Sequence, residues 1–302
     1  MAPQSQSLSQ DLYIRAMPFI FVFLWSTGFI GAKLGLPYVE PMTFLAIRFV
    51  VCMILMLPVV IFTKTLWPNR GIDWFHIGMA GLLMHGGYLG FVFWSIGEGV
   101  PAGTSALIAG VQPLIVAALA GIFLSEKVSI RQWSGLLLGL AGVFLVVLDK
   151  LDIGEGTVFG MALSFFALLS IAFGTLYQKK FCSTMDLKSG NFIQFIVASI
   201  YFTGFAFLFE TREIIWHMDL IIALAWLILV LSLGAVTLLY ILLRKGAAAS
   251  VSSLFFLVPP STAIVAYFLF GETLTGNSMI GMGVTIVGVA LVNLNFGKAK
   301  HA

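Results

Sequence analysis

Long apolar runs recur from one end of this chain to the other, each closed by a short connection rich in charge, glycine or proline. The alternation of a half-buried strand does not appear over any comparable length. A helix needs about 20 mostly apolar residues to cross the hydrocarbon core of a bilayer. With breakers and charges as boundaries, the pattern predicts ten spans: 14–36, 41–62, 74–96, 102–124, 132–148, 156–177, 189–209, 219–242, 248–270 and 276–294. Span 132–148 is short, but Trp133 and Asp149 set its limits. The runs are too long and too continuously apolar for a membrane β-barrel. The expected fold class is an all-α polytopic membrane protein.

Composition sharpens this reading. Of 302 residues, 60% are hydrophobic and 10% charged, with a mean hydropathy of +1.05. A soluble domain carries about 25% charged residues, so this chain could not cover a water-facing surface. The leader "MAPQSQSLSQDLYIR" lacks the basic start of a secretory signal, and the run from Ile14 to Leu36 exceeds a signal core, so it is expected to be a retained span. Cys52 in an apolar run and Cys182 in a lysine-rich connection indicate no disulfide framework.

Charge then orients the spans. The even-numbered connections and both termini hold Arg15, Lys64, Arg70, Lys127, Arg131, Lys179, Lys180, Lys188, Arg244, Lys245, Lys298 and Lys300. The odd connections hold only Lys33, Lys150 and Arg212. Twelve cations against three is a positive-inside bias, which predicts cytoplasmic N- and C-termini in a multi-pass protein of the plasma membrane, the inner membrane in a bacterium.

The stretches "FLSEKVSIRQWSG" from Phe123 and "LFGETLTGNSMIG" from Leu269 repeat one punctuation pattern at a distance of 146 residues. The same ungapped shift pairs Gly28 with Gly174, Lys33 with Lys179, Phe49 with Phe195, Asp73 with Asp219, and Pro113 with Pro259. Glu126 pairs with Glu272, and Gly135 and Gly142 pair with Gly281 and Gly288. Five spans per copy is an odd number, so the second copy must enter the membrane from the opposite side. Inverted repeats of this kind build many secondary transporters, with the binding site near the midplane. The predicted organisation is a cytoplasmic tail (1–13), a first five-helix repeat (14–148), an external linker (149–155), a second repeat (156–296) and a cytoplasmic tail (297–302).

The segments "FLWSTGFIGAKLGL", "EPMTFLAIRFV" and "ALIAGVQPLIVAALAGIFLSEKVSIRQWSGLLLGLAGVFLVV" resemble the first repeat of an EamA-type transporter of the drug/metabolite transporter superfamily. "SVSSLFFLVPPSTAIVAYFLFGETLTGNSMIGMGVTIVGVALV" resembles the second. That resemblance implies ten spans in two inverted repeats and, usually, export of small metabolites or amino acids. The second repeat departs from the first in placing Gln194 where Arg48 stands.

Few residues at depth can act on a solute. Gln112-Pro113 lies about ten residues into span 4, near mid-membrane, and Pro259-Pro260 takes the corresponding place in span 9. Each proline removes an intrahelical bond, which reads either as a packing kink or as broken backbone lining a wet cavity. His85 is the deepest ionisable group, roughly 16 Å into span 3, with Tyr88 and Ser95 on its face. It can bind a carboxylate or a proton, or simply bond as a neutral imidazole to a neighbouring helix.

Lys33, near the outer end of span 1, can snorkel and is first a structural residue. Arg48, about 10 Å inside span 2, reads first as a structural clamp paired with a carboxylate or helix-end carbonyls, and second as an attractor of an anionic substrate group. Trp25, Tyr88, Trp94, Tyr177, Tyr240 and Tyr267 accompany polar or broken positions, whereas Trp67, Trp74, Trp133 and Trp216 stand near span ends as interfacial anchors. The glycines of "GLLLGLAGV" and "GMGVTIVGVA" have close-packing spacing, within a repeat or at a dimer contact.

The sequence thus predicts a secondary transporter, in the direction of export, moving small organic metabolites such as amino acids by alternating access around a midplane cavity. Trp25, His85, Tyr88, Trp94, Gln112, Tyr177 and Tyr240 are its expected substrate-binding residues, with Lys33, Arg48, Pro113, Glu126, Pro259, Pro260 and Glu272 structural or gating. Its partners are a small-molecule solute and membrane lipid but no nucleic acid; proton coupling and homodimerisation stay open. No catalytic constellation, metal-ligand spacing, nucleotide motif or cofactor signature is present in the sequence, so an enzyme is not expected. The competing class is a non-transport membrane protein such as a lipid scramblase or an assembly scaffold.

Overall fold

The computed structural model describes residues 4–100, 102–148, 158–271 and 273–294. The linker expected at 149–155, the tail at 297–302 and Glu272 lie outside these described residues. Ten helices among the described residues are long and apolar enough to cross a membrane. They are α1 (Ala16–Tyr38), α2 (Pro41–Phe62), α3 (Gly71–Gly97), α4 (Thr104–Leu124) and α5 (Ile130–Val147) in the first half. In the second half they are α6 (Val158–Cys182), α7 (Leu187–Phe209), α8 (Met218–Lys245), α9 (Ala248–Leu269) and α10 (Gly276–Asn293).

Local chemistry sets the ends. Pro41 opens α2 at the helix position that needs no N–H. Ser129 closes a capping box with Gln132 at the start of α5, and Asp186 accepts from Lys188 N and Ser189 N at the start of α7. Helices α6 and α8 run past the expected 177 and 242, because nothing in "QKKFC" or "LRK" breaks a helix. The lysines and arginine there also suit the negative end of the helix dipole. Likewise the helix of α1 begins at Gln4, inside the expected tail, and carries Pro18 within it.

The two halves repeat one plan. Helices α2 and α7 start 146 residues apart, and α5 and α10 start and end 146 apart. Ser125 and Gly271, also 146 apart, both take the left-handed conformation that ends α4 and α9 (φ 57° and 65°). Ser129 and Thr275 cap α5 and α10.

Packing shows the inversion directly. A Cβ on Gly135 would stand 2.7 Å from the Gly288 carbonyl oxygen, and one on Gly281 would stand 2.6 Å from that of Gly142. Numbers rise along α5 as they fall along α10, so the pair is antiparallel. A shift of 146 converts the first contact into the second, as a two-fold axis in the membrane plane requires. The glycine stripes therefore join one repeat to the other. Between lipid-embedded helices no hydrophobic driving force operates, so backbone-to-backbone van der Waals contact of this kind is what holds them.

Helices α2 and α7 form the second inter-repeat contact, with the equivalent rings of Phe49 and Phe195 meeting at 5.8 Å and Phe49 stacked on Phe202 at 5.5 Å. Both ends of this pair are tied. Glu210 accepts from Met42 N and Thr43 N at 2.6 Å, while Glu40 accepts from Thr211 Oγ1 and Arg212 N. At the other end Lys188 Nζ donates to Thr63 Oγ1 and Ser189 Oγ to the Leu66 carbonyl. Phe19, Phe62, Ile122 and Phe207 point outward, where hydrocarbon rather than water surrounds a spanning bundle. Trp67 and Trp74 stack at the connection of α2 and α3, whose face, with the other lysine- and arginine-bearing connections, is here termed the basic face.

Candidate functional site

Four helices are irregular partway along their length. Helix α4 is broken at Gly110 and Val111 and resumes at Gln112-Pro113. In α9 a 3-10 turn over Leu254–Leu257 precedes a fresh start at Val258-Pro259-Pro260. The prolines thus begin a helical segment, where a missing N–H costs nothing. Helices α3 and α8 each contain a π-helical stretch, Leu82–Gly87 and Leu227–Ala235, overlapping under the shift of 146. Such a turn carries an extra residue and re-aims the side chains it holds; it recurs at functional sites. In α3 it is allowed by close approach: a Cβ on Gly81 would lie 2.9 Å from Gln194 Cα.

Between these breaks lies a two-lobed cavity. The larger lobe is partly open, spans about 590 Å³ of empty space with open solvent included, and is lined by Trp25, Arg48, His85, Tyr88, Phe93 and Leu231 among others. The smaller, about 350 Å³, is lined by Gln112, Ala106, Gly110, Ile171, Phe255 and Pro259. Trp25, Phe29 and Tyr88 wall both lobes. The larger lobe reaches Ala32 and Phe93, near the ends of α1 and α3 that lie opposite the basic face.

Polar groups at this cavity are few and incompletely bonded. His85 is buried, its ring 5.1 Å from Phe49 and 5.7 Å from Phe195, and its Nε2 has no hydrogen-bond partner. Gln112 donates Nε2 to Thr175 Oγ1 at 3.3 Å and to Ser252 Oγ at 3.2 Å, while its Oε1 has no partner. Buried polar atoms are nearly always satisfied in proteins, and each exception asks for an occupant. Arg48, 2% exposed, donates Nε to Ser232 Oγ at 2.9 Å. No carboxylate among the described residues forms an ion pair with it. The partner expected from the sequence, an acid or a helix end, is replaced by a hydroxyl on the π segment of α8.

Toward the basic face the protein is closed by side-chain amides. Tyr240 Oη donates to Gln194 Oε1 at 2.5 Å, and Gln194 Nε2 donates to Gln178 Oε1 at 2.9 Å. All three are buried. At that face Glu126 pairs with Lys179 at 2.6 Å and accepts from Ala248 N at 2.8 Å. Lys179 also donates to the Gly246 carbonyl. The partners of Glu126 are therefore on α6 and α9, not the adjacent Lys127 or Arg131.

The structure brings Trp25, His85, Tyr88 and Gln112 together around the cavity, and adds Arg48 to their ring. Tyr240 stands beneath it in the amide layer. Tyr177 is away from it, bonded to His76 Nδ1 at 2.7 Å and packed on Phe181. Trp94 points to the end of α3, donating to Glu98 and packing on Phe159 and Phe209. Lys33 occupies in α1 the place that Lys179 holds in α6, and Tyr267 is exposed on α9. Sequence reasoning singled out Ser95 but not Ser232, Gln178, or the hydroxyls Ser164 and Ser105 that Ser95 joins in a buried chain with links of 2.7 and 3.1 Å. Of the amide layer, the sequence had named Tyr240 as a binding residue and Gln194 as the counterpart of Arg48.

Residues 14–148 and 158–294 each match the model of the EamA-like transporter family. The chain is 26% identical over 280 residues to a probable amino-acid metabolite efflux pump of Escherichia coli, covering 89% of this chain and 91% of that one. It is 25% identical over 287 residues to a WAT1-related chloroplastic protein of Arabidopsis thaliana, covering 91% and 68%. A protein of known crystal structure shares the fold with a TM-score of 0.77 at 16% identity, over 92% of this chain and 96% of that one. The family and the bacterial relative are described as transporters rather than enzymes.

Proposed function

This chain belongs to the EamA-like transporter family, and from that premise we propose that it exports amino acids or related small organic metabolites as a secondary transporter. The observation that carries the reading is the cavity between two inverted repeats, lined by Gln112 and His85, whose Oε1 and Nε2 are buried without a hydrogen-bond partner. Discontinuous helices around a midplane site are how transporters present such groups at depth. The solute sits between Trp25 and Tyr88, hydrogen-bonded by Gln112 and His85. Rocking of the repeats about the α5–α10 and α2–α7 contacts exposes it to each face in turn. The cavity extends away from the basic face, where Tyr240, Gln194 and Gln178 close it, so the geometry fits the outward-facing state of a protein with cytoplasmic termini in a plasma membrane.

The test is counterflow of radiolabelled amino acids in proteoliposomes. Exchange above empty liposomes that falls at least tenfold in Gln112→Leu supports the reading. Movement of lipid between leaflets without any solute exchange overturns it. A cysteine placed after Leu294 and labelled only from outside intact cells refutes the orientation.

A further inference from the structure

We infer that Arg48 is the receptor for a carboxylate on the transported solute, so that the larger lobe selects carboxylic acids, amino acids among them. The inference deepens the proposed function and rests on it. A guanidinium buried in a membrane protein and left without a counter-ion costs several kcal/mol, so such groups are found paired or facing a wet cavity. Arg48 lines the cavity; among the described residues its one hydrogen bond uses Nε and a neutral hydroxyl, and its guanidinium also lies 5.4 Å from the centre of the Phe49 ring. That bond fixes the plane of the fork. The two Nη groups remain, and a planar fork of two parallel donors matches a carboxylate bidentately.

The repeat supplies an internal control. At the equivalent place in α7 stands Gln194, whose Nε2 and Oε1 both have protein partners, Gln178 and Tyr240. A neutral amide thus suffices to tie this position of the fold to its neighbours. The charge at Arg48 is surplus to that task, and no acidic residue lines either lobe to neutralise it. The unpartnered His85 Nε2 lies in the same lobe as a second polar contact for an oxygen-bearing solute, and Trp25, Tyr88 and Phe93 offer apolar wall for the rest of it. A counter-ion that arrives with the solute also ties loading to neutralisation: the occupied cavity holds an ion pair, and the empty one a charge met only by a hydroxyl and a ring face.

The experiment compares acids with their amides. Purified protein is melted in detergent with acetate, phenylacetate, L-leucine or L-phenylalanine, and with the carboxamide of each. At least one acid raises the melting temperature of the wild type, at a half-maximal concentration at least tenfold below that of its amide. Arg48→Gln, which copies the second repeat, loses that difference, and Arg48→Lys retains part of it. Ser232→Ala weakens the acid by a smaller factor through a looser fork. If Arg48→Gln does not fold, the acid-to-amide comparison in the wild type still decides. Equal effects of acid and amide overturn the inference, as does an Arg48→Gln protein with wild-type acid sensitivity, or a wild type that responds to no acid. Amino-acid exchange that persists unchanged in Arg48→Gln refutes the carboxylate site while leaving transport standing. Acid binding lost in Arg48→Gln, in a protein that exchanges no solute, supports the site and removes the transport reading.

Discussion

Two glycines five residues apart on α10 are predicted to respond in opposite directions to the same added methyl group. At Gly288 a Cβ would lie 2.5 Å from Gly139 N, 2.7 Å from Gly135 O and 2.8 Å from Gly139 Cα. All three are backbone atoms, so no rotamer change makes room, and α5 must retreat by several tenths of an ångström along its contact with α10. Overpacking of this kind costs about 1–3 kcal/mol, against which alanine's better helix propensity returns about 1 kcal/mol. The expected net loss for Gly288→Ala is about 0–2 kcal/mol. Gly283 is exposed and a Cβ there meets nothing within 4 Å, so Gly283→Ala keeps only the propensity gain of about 1 kcal/mol. Cys52 and Cys182 are both fully buried, so a thiol-reactive fluorescent maleimide reads unfolding of the purified protein on a temperature ramp. Gly288→Ala should melt lower than wild type and Gly283→Ala higher, by roughly 2–4 °C per kcal/mol. A Gly288→Ala protein melting as high as Gly283→Ala would mean that α5 and α10 do not touch backbone to backbone, and the two-fold relation would lose its closest contact.

Three further outcomes are expected. Gln112→Leu removes bonds to Thr175 and Ser252 worth about 0.5–1.5 kcal/mol each, so its melting temperature drops slightly while its exchange rate drops at least tenfold; parallel small losses in both would make Gln112 a packing residue. Glu126→Gln loses the Lys179 ion pair, about 0.2–1 kcal/mol at this partly exposed site, yet keeps an acceptor for Ala248 N; Glu126→Ala loses about 1 kcal/mol more, and indistinguishable melting of the two would refute the capping role. Proton antiport through His85 predicts that solute efflux acidifies proteoliposomes loaded with a pH dye, and that His85→Gln exchanges solute without that signal; acidification unchanged in His85→Gln removes His85 from the proton path.

The spans were legible because lipid demands that every backbone group bond within its own helix, leaving length and hydropathy as the signal. The inversion was legible too, since a shift of 146 and an odd span count leave one topology, and the antiparallel α5–α10 pair agrees with it. Less was visible of the site. Trp25, His85, Tyr88 and Gln112 could be named from depth and polarity, and they meet in one cavity. Tyr177 and Trp94 have the same character by sequence, but rotation about the helix axis turns them to His76 and to Glu98.

By itself, then, the sequence determined the number of spans, most of their ends to within a few residues, their alternating direction and the residues rare enough at depth to matter. These follow from local rules: hydropathy against bilayer thickness, caps, prolines and charge. Tertiary structure alone decided that Arg48 meets Ser232 rather than an acid, that Glu126 reaches Lys179 and Ala248, and that the glycine stripes join the two repeats. Those outcomes depend on π turns that add a fraction of a turn to α3 and α8, and on which faces of the two repeats pack. A pattern of residue types along one helix does not encode its rotation against helices 50 or more positions away.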